Sequence, residues 1–160
     1  MHSEYKFSYE VFDSISELSQ EDALLLEEAR NTTKHSYAPY SRFCVAAVAK
    51  LSNEKIIAGT NQENASYPAG ICAERVLLSS VSSQHPGIAI ETIAITYNNE
   101  NGESNRPISP CGICRQSLQE YENRQNNPIR LILSGMNGKV FMISKSSLLM
   151  PLAFTADELK

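Results

Sequence analysis

The 160-residue sequence predicts an α/β fold, a three-layer α/β/α sandwich around a five-stranded mixed sheet. Three observations predict it. Apolar, β-branched runs alternate with helix-periodic stretches in the order αββαβαββα. Two of the strand pairs are joined by short turns, which makes them hairpins. The length fits one domain, with a core large enough to need no disulfide.

Each element follows from local pattern. Lys6 to Phe12 alternates weakly, so residues 1–18 form an extension that is either an additional edge strand or a free arm. Residues 19–160 form the single main domain. Ser19 with Asp22, ahead of Leu24, Leu25 and Leu26, opens a helix running through Ala29 toward Lys34 or His35, where a histidine suits the helix C-terminus. Phe43 to Leu51 is apolar enough for a central strand, and Cys44 within it reads as a small buried hydrophobe. Ser52-Asn53-Glu54 turns it into a second strand, Lys55 to Thr60. Ala73 to Ser83 is a helix with Val76, Leu77 and Val81 on its buried side, and Pro86-Gly87 breaks the chain after it. Glu91 to Tyr97 is a strand. Cys111 to Asn123 is a helix with Leu118 and Tyr121 inward. Ile129 to Leu133 and Lys139 to Ile143 form a hairpin around Asn137-Gly138. Ser146 to Met150 is a short helix stopped by Pro151, and the tail beyond it carries Phe154.

Composition narrows the function. The chain is 42% hydrophobic and 20% charged with net charge −4, ordinary for a globular protein. No run of about 18 apolar residues offers a membrane span, and the polar start Met1-His2-Ser3-Glu4-Tyr5-Lys6 does not resemble a signal peptide. The expectation is a cytoplasmic, reducing setting in which thiols serve as ligands rather than cross-links, and in which Asn31-Thr32-Thr33 and Asn64-Ala65-Ser66 are inert as glycosylation acceptors. No Lys/Arg cluster marks a polynucleotide face, and no Gly-rich loop offers a phosphate cradle. The expected partner is a small uncharged molecule.

The chemistry is concentrated in Ile71-Cys72-Ala73-Glu74-Arg75 and, thirty-nine residues after Cys72, in Pro110-Cys111-Gly112-Ile113-Cys114. A catalytic zinc takes three protein ligands and keeps one position open, whereas a structural zinc is closed by four. Cys72, Cys111 and Cys114 meet the first count, while His2, His35, His85 and Cys44 lie in no ligand-like spacing with them. Cys111 and Cys114, three apart at a helix start, can face one ion, and the positive helix end favours their thiolate form. Zinc lowers the pKa of bound water toward about 7. Glu74, two residues beyond a ligand, is placed to take that water's proton and pass protons to a substrate. Three thiolates leave the site net negative, and Arg75 can offset this by donating to the ligand sulfurs.

These residues resemble those of the homotetrameric, three-cysteine cytidine deaminases of pyrimidine salvage, over about Leu24 to Leu159. Tyr37-Ala38-Pro39-Tyr40-Ser41-Arg42-Phe43 is similar to the family's A-P-Y-S-x-F segment, and Gly59 to Tyr67 to its G-x-N-x-E-N-A-x-Y segment. Cys72-Ala73-Glu74-Arg75 and Ser109 to Gln116 match its two zinc segments, and Leu149 to Phe154 its closing L-L-P-x-x-F. The resemblance implies one Zn2+ per subunit, a homotetramer, and a nucleoside substrate, cytidine or 2′-deoxycytidine. It implies that Asn61 and Glu63 hold the ribose hydroxyls and that Phe43 packs against the nucleoside. Main-chain groups of Ala73 and Ser109 would read the pyrimidine edge, Phe154 would close the site from a neighbouring subunit, and Tyr67 would lie near that junction. Arg75 and Gln116 are assigned supporting places behind the ligands.

Residue chemistry is compatible with the ribose pair, since i and i+2 of an extended segment face the same way, though Asn and Glu are equally at home in a solvated loop. Two features depart from the family. Val45-Ala46-Ala47-Val48 stands where V-G-A-A is common, and the connection 98–108 is long, which opens substrate scope to another aminopyrimidine such as blasticidin or a free base. A non-catalytic zinc module is the remaining alternative, and it would have no use for Glu74, Asn61 or Glu63.

Overall fold

Alternation along the strands divides the core into two clusters, one on each face of a single sheet. The computed structural model describes residues 1–160. Its elements are β1 (Glu10–Phe12), α1 (Gln20–Thr32), β2 (Phe43–Leu51), β3 (Ile56–Thr60), α2 (Ala73–Gln84), β4 (Ile90–Asn99), α3 (Gly112–Gln125), β5 (Arg130–Ser134) and β6 (Val140–Ile143). The sheet order is β1-β6-β5-β4-β2-β3; β4 and β5 run parallel and all other neighbours are antiparallel. Val48, Ala94, Ile132 and Met142 stand side by side across four strands, and with Leu25, Leu26 and Ala29 of α1 they form one cluster. Residues one step along, Ala47, Ile95 and Leu133, point to the opposite face and meet Leu77, Leu78 and Val81 of α2 and Leu118 and Tyr121 of α3. The result is the expected three-layer sandwich.

The strand count differs from expectation. The sheet has six strands, not five, because β1 pairs antiparallel with β6 through Glu10↔Met142, Val11↔Phe141 and Phe12↔Val140. Without it, β6 would present an open row of backbone donors and acceptors. Only three residues of the weakly alternating Lys6–Phe12 stretch pair, too few for alternation to separate a strand from an arm. The predicted helix after Lys145 is a single 3-10 turn, Ser146–Leu149.

Ends of elements match their sequence signals. Ser19 caps α1 by accepting from the Asp22 amide, and Asn126 closes α3 in the left-handed conformation. The buried carboxylate of Asp22 pairs with the guanidinium of Arg130 (Nη1 to Oδ2, 3.0 Å), so α1 is fastened to β5. Glu122 of α3 accepts from the Ile129 amide (2.9 Å) and from the Ser146 amide and hydroxyl (3.0 and 2.9 Å). The long connection after β4 is also anchored: Asn137 N–H donates to the Ser104 carbonyl, which sits where a Cβ on Gly135 would otherwise lie. No helix is long and apolar enough to cross a membrane.

α2 is set directly against β3 at Gly59. A Cβ there would fall 2.4 Å from the Leu77 amide nitrogen and 2.6 Å from the Ala73 carbonyl oxygen, both rigid backbone atoms. Gly59→Ala is therefore expected to push α2 off the sheet and destabilise the protein by more than about 2 kcal/mol. Thermal unfolding checks this; an unchanged melting temperature would mean that the approach relaxes freely.

Candidate active site

Two helix N-termini meet at one point, and the cysteines occupy both. Cys72 is the residue that caps α2 (φ −73°, ψ 152°) and Cys111 the one that caps α3 (φ −68°, ψ 169°), with Cys114 in the first turn of α3. Extended backbone at each cap turns the sulfur toward the helix end, where unpaired amides leave a partial positive charge. The Sγ atoms of Cys72 and Cys111 are 3.9 Å apart and those of Cys111 and Cys114 3.5 Å, and all three lie within 4.8 Å of one another. Thiolates about 2.3 Å from a tetrahedral zinc stand roughly 3.8 Å apart. The donor set fits that ion and no disulfide, whose sulfurs would be about 2.05 Å apart. No His, Asp or Glu joins the cluster, so one position of a tetrahedral metal is left for a fourth ligand.

Electrostatics make the same demand. Hydrogen bonding from Cys114, acting against burial, holds the Cys72 thiol down at about 6, while Cys72 and burial push the Cys114 thiol far up. Three negative sulfurs this close cannot coexist without a cation between them. Glu74, in the first turn of α2, is 5% exposed, and burial raises its pKa above the usual carboxylate range. A carboxyl so placed accepts and returns a proton at lower cost than a solvated one. Arg75 acts on Cys72 through its charge, and none of its hydrogen bonds goes to a ligand sulfur.

The ligand loop is held from behind by residues that carry little sequence signal of their own. Arg115 donates from Nε to the Pro110 carbonyl (2.8 Å) and from Nη1 to the Leu149 carbonyl (3.2 Å). Gln116 donates to the Phe154 carbonyl (2.9 Å), tying the tail to α3. The Phe154 side chain is 58% exposed.

Beside Cys72 opens a cleft of about 460 Å³, lined among others by Tyr40, Asn61, Glu63, Tyr67 and Ile71. Its floor is the extended segment 61–63, held between Tyr37 on one side and Ile71 on the other by backbone hydrogen bonds of 2.8 to 3.0 Å. Asn61 also holds the start of β2: its Oδ1 accepts from the Val45 amide and its Nδ2 donates to the Phe43 carbonyl, each at 2.8 Å. Glu63 accepts through Oε2 from the amides of Tyr40 (2.9 Å) and Ser41 (3.2 Å). The Ser41 side chain and these amides keep its pKa low, so it is a carboxylate at neutral pH. Tyr67 is largely exposed and stands edge-on to Tyr40.

Cys72, Cys111, Cys114 and Glu74 are thus brought together, and Asn61, Glu63 and Tyr67 share a cleft with Cys72. Phe43, Ser109 and Phe154 do not line that cleft. Phe43 stacks on Tyr97 of β4, with centroids 4.8 Å apart and rings 18° from parallel. Ser109 is exposed two residues before Cys111, and Ala73 is buried against Gly59.

Comparison with known proteins agrees with this geometry. The family described as the cytidine and deoxycytidylate deaminase zinc-binding region matches residues 19–126. A cytidine deaminase from Halalkalibacterium halodurans is 35% identical over 138 residues, 85% of this chain and 96% of its own. The crystal structure of a cytidine deaminase from Burkholderia pseudomallei superposes with a TM-score of 0.72 at 34% identity, covering 86% of this chain and 100% of that one. A blasticidin-S deaminase from Bacillus cereus is 29% identical over 140 residues, 86% of this chain and 95% of its own.

Removing one sulfur tests the metal assignment. Cys72→Ala should reduce zinc affinity by more than the roughly 10–100-fold that loss of an outer partner costs, leaving substoichiometric metal after purification. Full zinc occupancy in that variant would take Cys72 out of the ligand set.

Proposed function

The chain belongs to the cytidine deaminase family, and on that premise we propose that it hydrolyses cytidine and 2′-deoxycytidine to uridine and 2′-deoxyuridine with release of ammonia. The observation that carries this is the three-cysteine cluster with one open position beside a buried Glu74 whose pKa is raised by that burial. Zinc bound by Cys72, Cys111 and Cys114 supplies a Lewis acid that makes water nucleophilic near neutral pH. Glu74 takes a proton from the attacking water and delivers it to N3 of the pyrimidine as C4 becomes tetrahedral. It then takes the proton of the new C4 hydroxyl and passes it to the amine, so that the C4–N bond breaks, ammonia leaves and the C4 carbonyl forms. Its raised pKa suits both halves of that exchange. The α2 and α3 N-termini offset the charge that three sulfurs bring, helped by Arg75.

Recognition falls to the cleft. Glu63 keeps Oε1 for a ribose hydroxyl while Oε2 holds the 40–41 backbone, and Asn61 keeps one N–H and one lone pair beyond those given to β2. Outside that lining, Phe43, backed by Tyr97, offers the nucleoside an aromatic surface, and main-chain groups at Ala73 and Ser109 read the pyrimidine edge. Phe154 closes the site of a neighbouring subunit in a homotetramer, near Tyr67. Support for that reading is the exposure of Phe154, Leu152 and Tyr67 on a lone chain. Residues 19–160 form the catalytic unit, residues 1–18 an extension, and the setting is cytoplasmic pyrimidine salvage.

A second reading takes blasticidin S as substrate, on the strength of the Bacillus cereus relative. It keeps the same zinc chemistry on the aminopyrimidine, and the ratio of kcat/KM values for the two compounds decides between them.

The deciding experiment follows the ultraviolet absorbance of cytidine with zinc-loaded protein and with Glu74→Gln of equal zinc content. The variant should lose about 10²- to 10⁴-fold in kcat. Equal rates would take Glu74 out of the proton path, and no turnover by either protein would exclude cytidine as substrate. Glu63→Gln should raise KM for cytidine far more than for free cytosine, and equal effects on the two would remove Glu63 from ribose binding.

A further inference from the structure

We propose that the N-terminal extension braces the metal-ligand loop, acting from Tyr5 through Leu148 and Leu149, and then through Arg115, on Pro110 and Cys111. The family match begins at residue 19, directly after this extension, and none of the deamination chemistry uses it.

The extension grips the sheet edge from both faces. Phe12, with Ile15 and Leu18, packs against the cluster under α1. Tyr9 points the other way and meets Phe141, with ring centroids 5.0 Å apart. Phe7 and Tyr5 continue the alternation as a ladder of tilted rings at 6.1 and 6.4 Å. Its rings are 42–51% exposed, so it lies over the core without being part of it. The ladder ends on a directed contact: the Tyr5 hydroxyl donates to the Leu148 carbonyl at 2.9 Å.

That carbonyl belongs to the 3-10 turn Ser146–Leu149, and the next one along, of Leu149, accepts from Arg115 Nη1. The same guanidinium holds the Pro110 carbonyl through Nε, one residue before the ligand Cys111. A guanidinium is planar, so its two donors keep a fixed geometry, and the separation of the two carbonyls is set by it. The turn is held on its other side by Glu122, which binds Ser146. Tyr5 is the contact from outside that stops the turn from lifting away from α3. In this scheme Tyr5 and Arg115 are positioning residues, and the property they govern is how long the loop keeps its metal.

The test is zinc transfer from the loaded protein to a chromophoric chelator, well below the unfolding temperature, for the full chain, for a variant lacking residues 1–9, and for Tyr5→Phe. Zinc content is measured before chelator is added. Truncation should speed release by roughly three- to tenfold, the range a net hydrogen bond commands, and Tyr5→Phe should act in the same direction. In an Arg115→Met background truncation should add nothing, since contacts along one path are not additive. Unchanged release in both variants, or the same acceleration with and without Arg115, would overturn the brace. If the truncated chain does not fold, Tyr5→Phe carries the same comparison alone. The inference rests on the three-cysteine metal site and not on the identity of the nucleoside. A zinc-free full chain would overturn that site and the brace together, whereas a loaded chain with unchanged release overturns the brace alone.

Discussion

Three sulfurs within 4.8 Å of one another form the constraint on which the rest of this protein depends. As thiols they would be poor neighbours, and as thiolates they would repel one another by several kcal/mol at such separations in a partly buried site. Two circumstances make the cluster tenable. A dication offsets most of its charge, and both helices that supply the ligands present their N-termini to the remainder. The second circumstance is architectural. α2 and α3 lie side by side on one face of the sheet, and their first turns must end at the same level for Cys72 to reach Cys111.

The positions of both helices are accordingly fixed by close contacts with little tolerance. α2 is set by Gly59, where no side chain fits between β3 and the helix backbone. α3 is set by polar bonds: Glu122 to residues 129 and 146, and Arg115 to residues 110 and 149. Leu77, Val81, Leu118 and Tyr121 supply the burial that drives both helices onto the sheet, at roughly 1.5–3 kcal/mol per large side chain. That burial is non-directional and would tolerate sliding along the helix axis. The steric stop at Gly59 and the buried carboxylate of Glu122 remove that freedom, converting a helix layer into a metal site.

Much of this was legible in the sequence, and the reasons are physical. Strands such as Phe43–Leu51 carry an almost unbroken apolar run and helices such as Ala73–Gln84 a helical periodicity, each followed by a clear stop signal. The cysteine cluster was legible because ligand spacing is local, with two of three sulfurs one helical turn apart. The sixth strand was not, because three paired residues generate almost no alternation. The distant partners of Arg115, Glu122 and Asp22 were invisible because only the fold closes the separation along the chain, 34 residues to Leu149, 24 to Ser146 and 108 to Arg130. Nothing in the identity of a lone Arg after a C-x-x-C pair tells which carbonyls it will hold.

The cleft adds a coupling that residue types alone do not reveal. Asn61 and Glu63, the residues proposed to hold the sugar, already hold their own chain: Asn61 the first residues of β2, Glu63 the turn at 40–41. Glu63 therefore has a structural duty on Oε2 and a free Oε1, whereas both polar atoms of Asn61 carry a structural duty and keep only one lone pair and one N–H beyond it. A bound hydroxyl on Glu63 would compete with the 40–41 amides for carboxylate charge, and an altered turn would redirect the carboxylate. Tyr40 on that turn packs against Tyr67, and Ser41 sits two residues before Phe43, which rests on Tyr97. A change at Glu63 is thereby carried to the Phe43–Tyr97 stack through a handful of short contacts, so that on the proposed reading substrate preference would be a property of the whole 40–43 turn rather than of any one side chain.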